Sequence, residues 1–222
     1  MSGRVIDFQT RPSVISRASV VGKKEGEGPL GKGFDIVIED DMCGLDTWEA
    51  AESHLQKTAI GLVLDKAGIK AEKIDGIFAG DLINQCTGSA FGIRDFGIPY
   101  FGIYGACSTS VLAMINAAEY VDSGKMKIAI SATSSHFCSA EKQFRFPLEY
   151  GGQRPPTAQW TVTGASAAMI SDEVEKKCPR IEKAIIGKIV DKGITDANNM
   201  GAAMAPAAAD TIYTFLNETG TS

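Results

Sequence analysis

Residues 108–123 constrain the fold more than any other stretch of the chain. Val111, Leu112, Met114, Ile115, Ala117, Ala118, Tyr120 and Val121 cover most of the circumference of a predicted helix. A helix that is apolar nearly all round has to be covered on more than one side, so it belongs in the middle of a layered fold. Gly124 ends it. Just before it stands the run Tyr104-Gly-Ala-Cys-Ser-Thr-Ser110, which follows an extended, apolar segment from Pro99 to Tyr104. Cys107 therefore sits at a strand-to-helix turn. Unpaired amide donors and the dipole of a helix start favour a thiolate there, and the thiolate is the reactive form. The same amides could stabilise an oxyanion during acyl transfer. A cysteine ahead of an apolar helix is also a common packing residue, and the local pattern leaves both readings open.

The flanking segments supply the layers. Residues 12–22, with Val14, Ile15, Val20 and Val21, read as a strand pair or one bent strand. Gly22 to Gly33 is rich in glycine and charge but lacks the spacing of a phosphate loop, so it reads as a surface loop. Phe34 to Glu39 alternates weakly. Asp46 and Glu49 form a capping-box pair at the start of a helix whose apolar face is Trp48, Ala51, Leu55, Ala59, Leu62 and Val63, with Gly68 at its end. His54 lies beside that face as a partly exposed structural histidine.

Strands follow at residues 74–80, 127–132 and 161–170, and residues 82–96 are helical in part. Residues 185–190 are a further apolar run of strand type. Residues 201–216 become helical from about Met204, with Pro206 in the first turn. The order implies an α/β architecture with a sheet covered on both faces. Residues 1–183 read as one half. Residues 184–222 read as the start of a second, similar half whose repeat is incomplete.

Composition excludes several functions. The 222 residues carry a net charge of -5 and no basic block, which argues against nucleic acid as a partner. No apolar stretch is long enough to span a bilayer. Cysteines at 43, 86, 107, 138 and 178 are too widely spaced for a zinc or iron–sulfur motif, and a reducing compartment is the simpler setting. With two histidines, His54 and His136, a metal site or histidine relay is short of ligands. The acidic run Asp35, Glu39, Asp40, Asp41, Asp46 and Glu49 lacks the calcium-loop pattern and reads as a solvated face or docking patch.

Several blocks together resemble the thiolase and ketoacyl-synthase superfamily. These are Gly105-Ala-Cys-Ser-Thr-Ser110 with the helix and strand Lys127-Ile-Ala-Ile-Ser-Ala132 after it, Gly164-Ala-Ser-Ala-Ala-Met-Ile170, and Ile74-Asp-Gly-Ile-Phe-Ala-Gly80. The stretches Val21-Gly-Lys-Lys-Glu-Gly-Glu-Gly-Pro-Leu-Gly31, Arg154-Pro-Pro-Thr-Ala-Gln-Trp160 and Met204-Ala-Pro-Ala-Ala-Ala-Asp210 resemble more closely the sporulation branch typified by stage V sporulation protein AD.

The resemblance implies a thiolase-like layered fold with a mixed sheet and a buried central helix. It implies binding of dipicolinic acid for its uptake into the developing spore, with relevance to germination. The partners implied are the membrane proteins of the same sporulation operon, and the place implied is the periphery of the spore's inner membrane. A homodimer is implied too. Calcium bound together with dipicolinate is the only cofactor left open. The alternative is an acyl-thioester condensing or thiolytic enzyme. Cys107 matches the superfamily nucleophile, either still reactive or vestigial.

Dipicolinate is a planar ring with two carboxylates. It calls for arginine forks and a flat apolar wall. Arg145 and Arg154 flank the segment from Phe137 to Trp160, which also carries Phe144, Phe146, Tyr150 and Trp160. Arg145, Arg154, Phe144, Trp160 and His136 are the candidate ligand-binding residues, expected in a long loop lying over the sulfur. Arg94 is a weaker candidate, because Asp95 adjoins it.

Overall fold

Strands buried along nearly their whole length build the main sheet, with helices on both faces. The computed structural model describes residues 3–144, 160–173, 177–196 and 199–221. In chain order the elements are β1 (Val5–Asp7), β2 (Ser13–Gly22), α1 (Lys23–Gly26), β3 (Ile36–Ile38), α2 (Trp48–Ala67), β4 (Gly76–Gly80), α3 (Thr87–Ile93), β5 (Tyr100–Gly102), α4 (Thr109–Asp122), β6 (Ile128–Ser135), α5 (Phe137–Phe144), β7 (Gly164–Ser171), β8 (Lys183–Ile185) and α6 (Met200–Thr219). They fall into two units, Thr10–Arg180 and the pair of segments Met1–Gln9 with Ile181–Ser222.

The larger unit holds a six-stranded sheet in the order β3-β2-β7-β6-β4-β5. β3 runs parallel to β2, and β4 runs parallel to both β5 and β6, while β7 is antiparallel to its neighbours β2 and β6. Five strands thus point one way and β7 points the other. The carboxyl ends of β2, β3, β4, β5 and β6 share one edge with the amino end of β7, as the pairing of Ser135 with Gly164 shows.

α2 covers one face. Leu55, Ala59, Ile60, Val63 and Leu64 pack with Val20, Ile77, Ile130, Ala165 and Met169 into a continuous core. Full burial of one such side chain stabilises by about 1.5–3 kcal/mol. The buried stripe is rotated from the one read in the sequence, with Ile60 and Leu64 inside and Trp48 42% exposed. The cap also differs. The Thr47 hydroxyl, not the Asp46 carboxylate, accepts from the Ala50 amide at 3.1 Å. Gly68 closes the helix at φ 63°, in the left-handed region.

α4 packs on β4 and β6. Its residues Ala113, Ala117, Ala118 and Val121 are buried, and Tyr120 meets Phe78 and Phe101 in a ring cluster with centroids 4.6–5.6 Å apart. The cover of α4 is incomplete at its start, since Ser110 and Val111 are exposed and Val111 reaches 60%. The sheet seals one side of the helix, and next to it on β2, β6 and β7 lies a hollow of about 290 Å³ lined by Ser110, Met114, Arg17, Ser131, Thr133 and Ser166.

In the smaller unit β1 pairs antiparallel with β8, and Lys183 bridges Asp7 at 2.8 Å. The expected strand at 185–190 ends at Ile185, and 186–190 carry no regular structure. Lys188, within that run, instead reaches Asp210 at 3.3 Å. α6 is capped by the Asn199 side chain, and Asp210 also bridges Arg4 at 2.9 Å. Among the described residues no helix is long and apolar enough to cross a membrane.

Candidate functional site

The shared edge of the sheet gathers the chemistry. β5 leads into the Cys107 turn, β4 into Asp81 and Cys86, β6 into His136 and α5, β2 into α1, and Trp160 precedes β7. Ligands bind outside the carboxyl ends of strands in open α/β sheets, and the sequence candidates that the structure describes stand there.

The Cys107 turn is built against bare backbone. A Cβ at Gly80 would stand 1.8 Å from the Ile103 carbonyl oxygen and 2.8 Å from the Thr109 methyl, so only glycine permits that approach. Ala106 then adopts φ 46°, a left-handed conformation costly for alanine. The turn holds it there. The Thr109 hydroxyl donates to the Ala106 carbonyl at 2.8 Å and accepts from the Gly105 amide at 3.1 Å, and the Ser108 hydroxyl donates to the Gly105 carbonyl at 2.8 Å. Cys107 follows in a single 3-10 turn and is exposed. It does not line the hollow beside α4. Beneath the turn, the Cys86 thiol donates to the Ile103 carbonyl at 3.4 Å, and burial, then the charge of Asp81, push that thiol above its ordinary pKa.

His136 is fully buried with both ring nitrogens engaged. Nδ1 accepts from the Cys138 amide at 3.1 Å, which leaves the ring proton on Nε2, and Nε2 donates to the Asp41 carbonyl at 2.8 Å. No nitrogen remains to take a proton from a thiol or to meet a ligand. His54 is exposed and lines a separate hollow of about 410 Å³ with Lys57, Phe91 and Arg94. Arg94 contacts Asp95 at 3.5 Å, as its position suggested.

Trp160 is half-exposed and stacks on Phe137 with centroids 4.4 Å apart, while the Lys24 ammonium lies 3.4 Å over its ring. The start of the expected loop is the helix α5, because His136 and Ser139 give its first turn a hydrogen-bonded frame. Arg145 and Arg154, like the side chain of Phe144, lie outside the described residues.

Sequence reading missed the polar layer under this edge. Glu52 of α2 is fully buried. It accepts from the Ser139 hydroxyl at 2.5 Å and the Ser134 hydroxyl at 3.2 Å, joining α2, α5 and β6. Burial pushes its carboxyl up to about 7 against the pull of Ser139, and the charge of Asp81 adds to the rise. Asp81 is itself buried and accepts from the Ile83 and Ser89 amides at 2.8 and 2.7 Å and from the Ser89 hydroxyl at 2.6 Å. The signal was present. Glu52 follows Trp48 by four positions and precedes Leu55 by three, so it falls on an apolar stripe where a charge needs a reason. Lys24 was hidden in a segment read as loop. Among the described residues no group of three or more His, Cys, Asp or Glu is placed to hold a metal ion.

Comparison with known proteins adds a family and a fold. A family model described as stage V sporulation protein AD matches residues 2–222. Stage V sporulation protein AD of Bacillus subtilis (strain 168) is 45% identical over 209 residues, covering 93% of this chain and 61% of its own length. The chain thus spans about three fifths of that curated relative. Among solved structures, a variant of OleA from Xanthomonas campestris is 16% identical and covers 98% of this chain and 75% of its own, with a TM-score of 0.68. The 3-oxoacyl-(acyl carrier protein) synthase III of Xanthomonas oryzae pv. oryzae, also 16% identical, covers 98% and 75% with a TM-score of 0.63. At such identity these two establish the layered α/β fold of the thiolase and ketoacyl-synthase type, and nothing about chemistry.

Proposed function

The chain belongs to the stage V sporulation protein AD family, and from that premise we propose that it binds dipicolinic acid for uptake into the developing spore. The observation that carries the reading is the convergence on one sheet edge. The Cys107 turn, the exposed Trp160 ring and α5 stand there together, and α5 runs directly into residues 145–159 with Arg145 and Arg154. A planar dicarboxylate needs a flat ring to lie on and cationic forks at its ends; Trp160 stands at this edge, and Arg145 and Arg154 are the sequence's candidates for the forks. Lys24 adds an ammonium at the same ring.

In this reading Cys107 is a relic of the condensing fold that lines the ligand site. Residues 1–183 form the half that carries the site, and 184–222 begin a second half. The whole protein works as a dimer at the periphery of the spore's inner membrane, with the membrane proteins of its operon as partners and calcium travelling with the ligand. Titration calorimetry on the full-length protein tests it. Saturable dipicolinate binding is expected, weakened at least about tenfold by Arg145→Ala or Arg154→Ala. No heat at ligand concentrations far above the protein would end the reading.

One observation favours a second reading, acyl-thioester chemistry on Cys107. Ala106 is held at positive φ next to an exposed cysteine on a condensing-enzyme fold, and strain of this kind often marks a functional turn. Intact-protein mass spectrometry after incubation with varied acyl-CoA donors decides it. A mass increase lost in Cys107→Ala supports the enzyme, and an unmodified protein excludes it.

A further inference from the structure

Residues 160–163 form no regular element, so their backbone groups have to be satisfied outside a helix or ladder. Neighbouring side chains do this. The Thr161 hydroxyl donates to Glu141 of α5 at 3.0 Å, and the Val162 carbonyl accepts from the Ser135 hydroxyl at 2.5 Å. Thr163, 5% exposed, is the most connected of the four. Its carbonyl accepts from the Gly22 amide at 2.8 Å, and its amide donates to Glu25 Oε1 at 3.2 Å.

Those two backbone bonds are open to any residue. The side chain is what calls for threonine. Its hydroxyl accepts from the Phe137 amide, the first of α5, at 3.0 Å. Its methyl faces Gly22, where an added Cβ would stand 3.0 Å from Thr163 Cγ2. Valine would lack the first contact and serine the second. Thr163 thus joins the carriers of three groups. Gly22 and Glu25 stand on either side of Lys24 in the chain, Phe137 bears one ring, and Trp160 lies three residues before Thr163. The three groups meet, with the Phe137 and Trp160 centroids 4.4 Å apart and the Lys24 ammonium 3.4 Å over the Trp160 ring.

We propose that Thr163 is the positioning residue of this aromatic and cationic wall: its hydroxyl fixes Phe137, and Phe137 fixes the Trp160 ring beside the Lys24 ammonium. Such a wall suits a flat anion, which lays its ring on the indole and turns a carboxylate to the ammonium. That this anion is dipicolinate rests on the functional reading above.

The test uses the full-length protein as wild type, Thr163→Val, Thr163→Ser, Phe137→Leu and the double variant combining Thr163→Val with Phe137→Leu. Hydroxyl-radical oxidation of Trp160 and acetylation of Lys24, both mapped by peptide mass spectrometry, read the wall without ligand. Thr163→Val should raise both at least about twofold. Thr163→Ser keeps the hydroxyl and should leave Trp160 oxidation at the wild-type level. The double variant should match Phe137→Leu alone, because Thr163 acts through Phe137. Acetylation of Lys57 on α2 reports that each variant is folded, and Thr163→Ala replaces Thr163→Val if that control fails. The second readout is dipicolinate affinity by calorimetry. It should weaken about fivefold in Thr163→Val, the worth of one hydrogen bond, and recover in Thr163→Ser. Wild-type labelling in Thr163→Val, raised Trp160 oxidation in Thr163→Ser, or additive effects of Thr163→Val and Phe137→Leu overturns the inference. Altered labelling with unaltered dipicolinate affinity overturns its ligand step. If the wild type binds no dipicolinate, the functional reading fails, and labelling alone decides whether Thr163 holds the wall.

Discussion

α2 and α4 flank the same sheet, yet they are built for opposite ends. α2 starts from a hydroxyl cap, closes on a left-handed glycine and buries eight residues, two of them polar. α4 has no side-chain cap, follows a strained alanine and leaves Ser110 and Val111 open. One helix anchors the sheet and sets the polar layer. The other presents a turn. Local order is concentrated in the platform, and the strained Ala106 sits beside an exposed thiol.

The largest effect that would sharpen this contrast is expected in the α2 core. Leu55→Ala should lower unfolding free energy in urea by about 2–5 kcal/mol, since Leu55 is 1% exposed within the core cluster. Glu52→Gln comes next, with an effect that depends on pH. The folded pKa of about 7 lies above the ordinary 4.5. The wild-type fold therefore keeps the full stabilising contribution of this group below pH 4.5 and loses it as pH rises through 7. The loss approaches about 3 kcal/mol. Glu52→Gln should flatten that slope, becoming the more stable protein above pH 7; urea titrations at pH 4.5, 6 and 8 measure it, and parallel slopes would break the account.

Thr47→Ala should cost about 1 kcal/mol by removing the cap. Val111→Ala should change stability by less than about 0.5 kcal/mol, and a loss as large as that of Leu55→Ala would mean α4 is no less an anchor than α2. Alkylation gives the smallest energetic but clearest chemical contrast. Exposed Cys107 should react with iodoacetamide before buried Cys86, as peptide mapping over time would show.

The layered fold could be read from the chain because its signals are local. The helix faces, the glycine stops at Gly68 and Gly124, and the apolar strands each sit within one segment. The open side of α4 could not be read, because periodicity records how apolar a face is and not what covers it. The rotated stripe of α2 has a similar cause. Trp48 is apolar but lies in the first turn, where a large ring can stay at the surface. The polar layer was only half legible. Glu52 on an apolar stripe was a visible anomaly, but its partners Ser134 and Ser139 lie 82 and 87 residues away. His136 was singled out for its chemistry, yet its bonds to a backbone carbonyl and an amide are set by folding alone.

Gly80 has a consequence beyond its own strand. The missing side chain there sets how deep the following segment can settle, and with it the height at which Cys107 stands above the sheet. A single methyl at this position would act as a spacer under the turn. Gly80→Ala would force the Ile103 carbonyl and the Thr109 methyl away from β4.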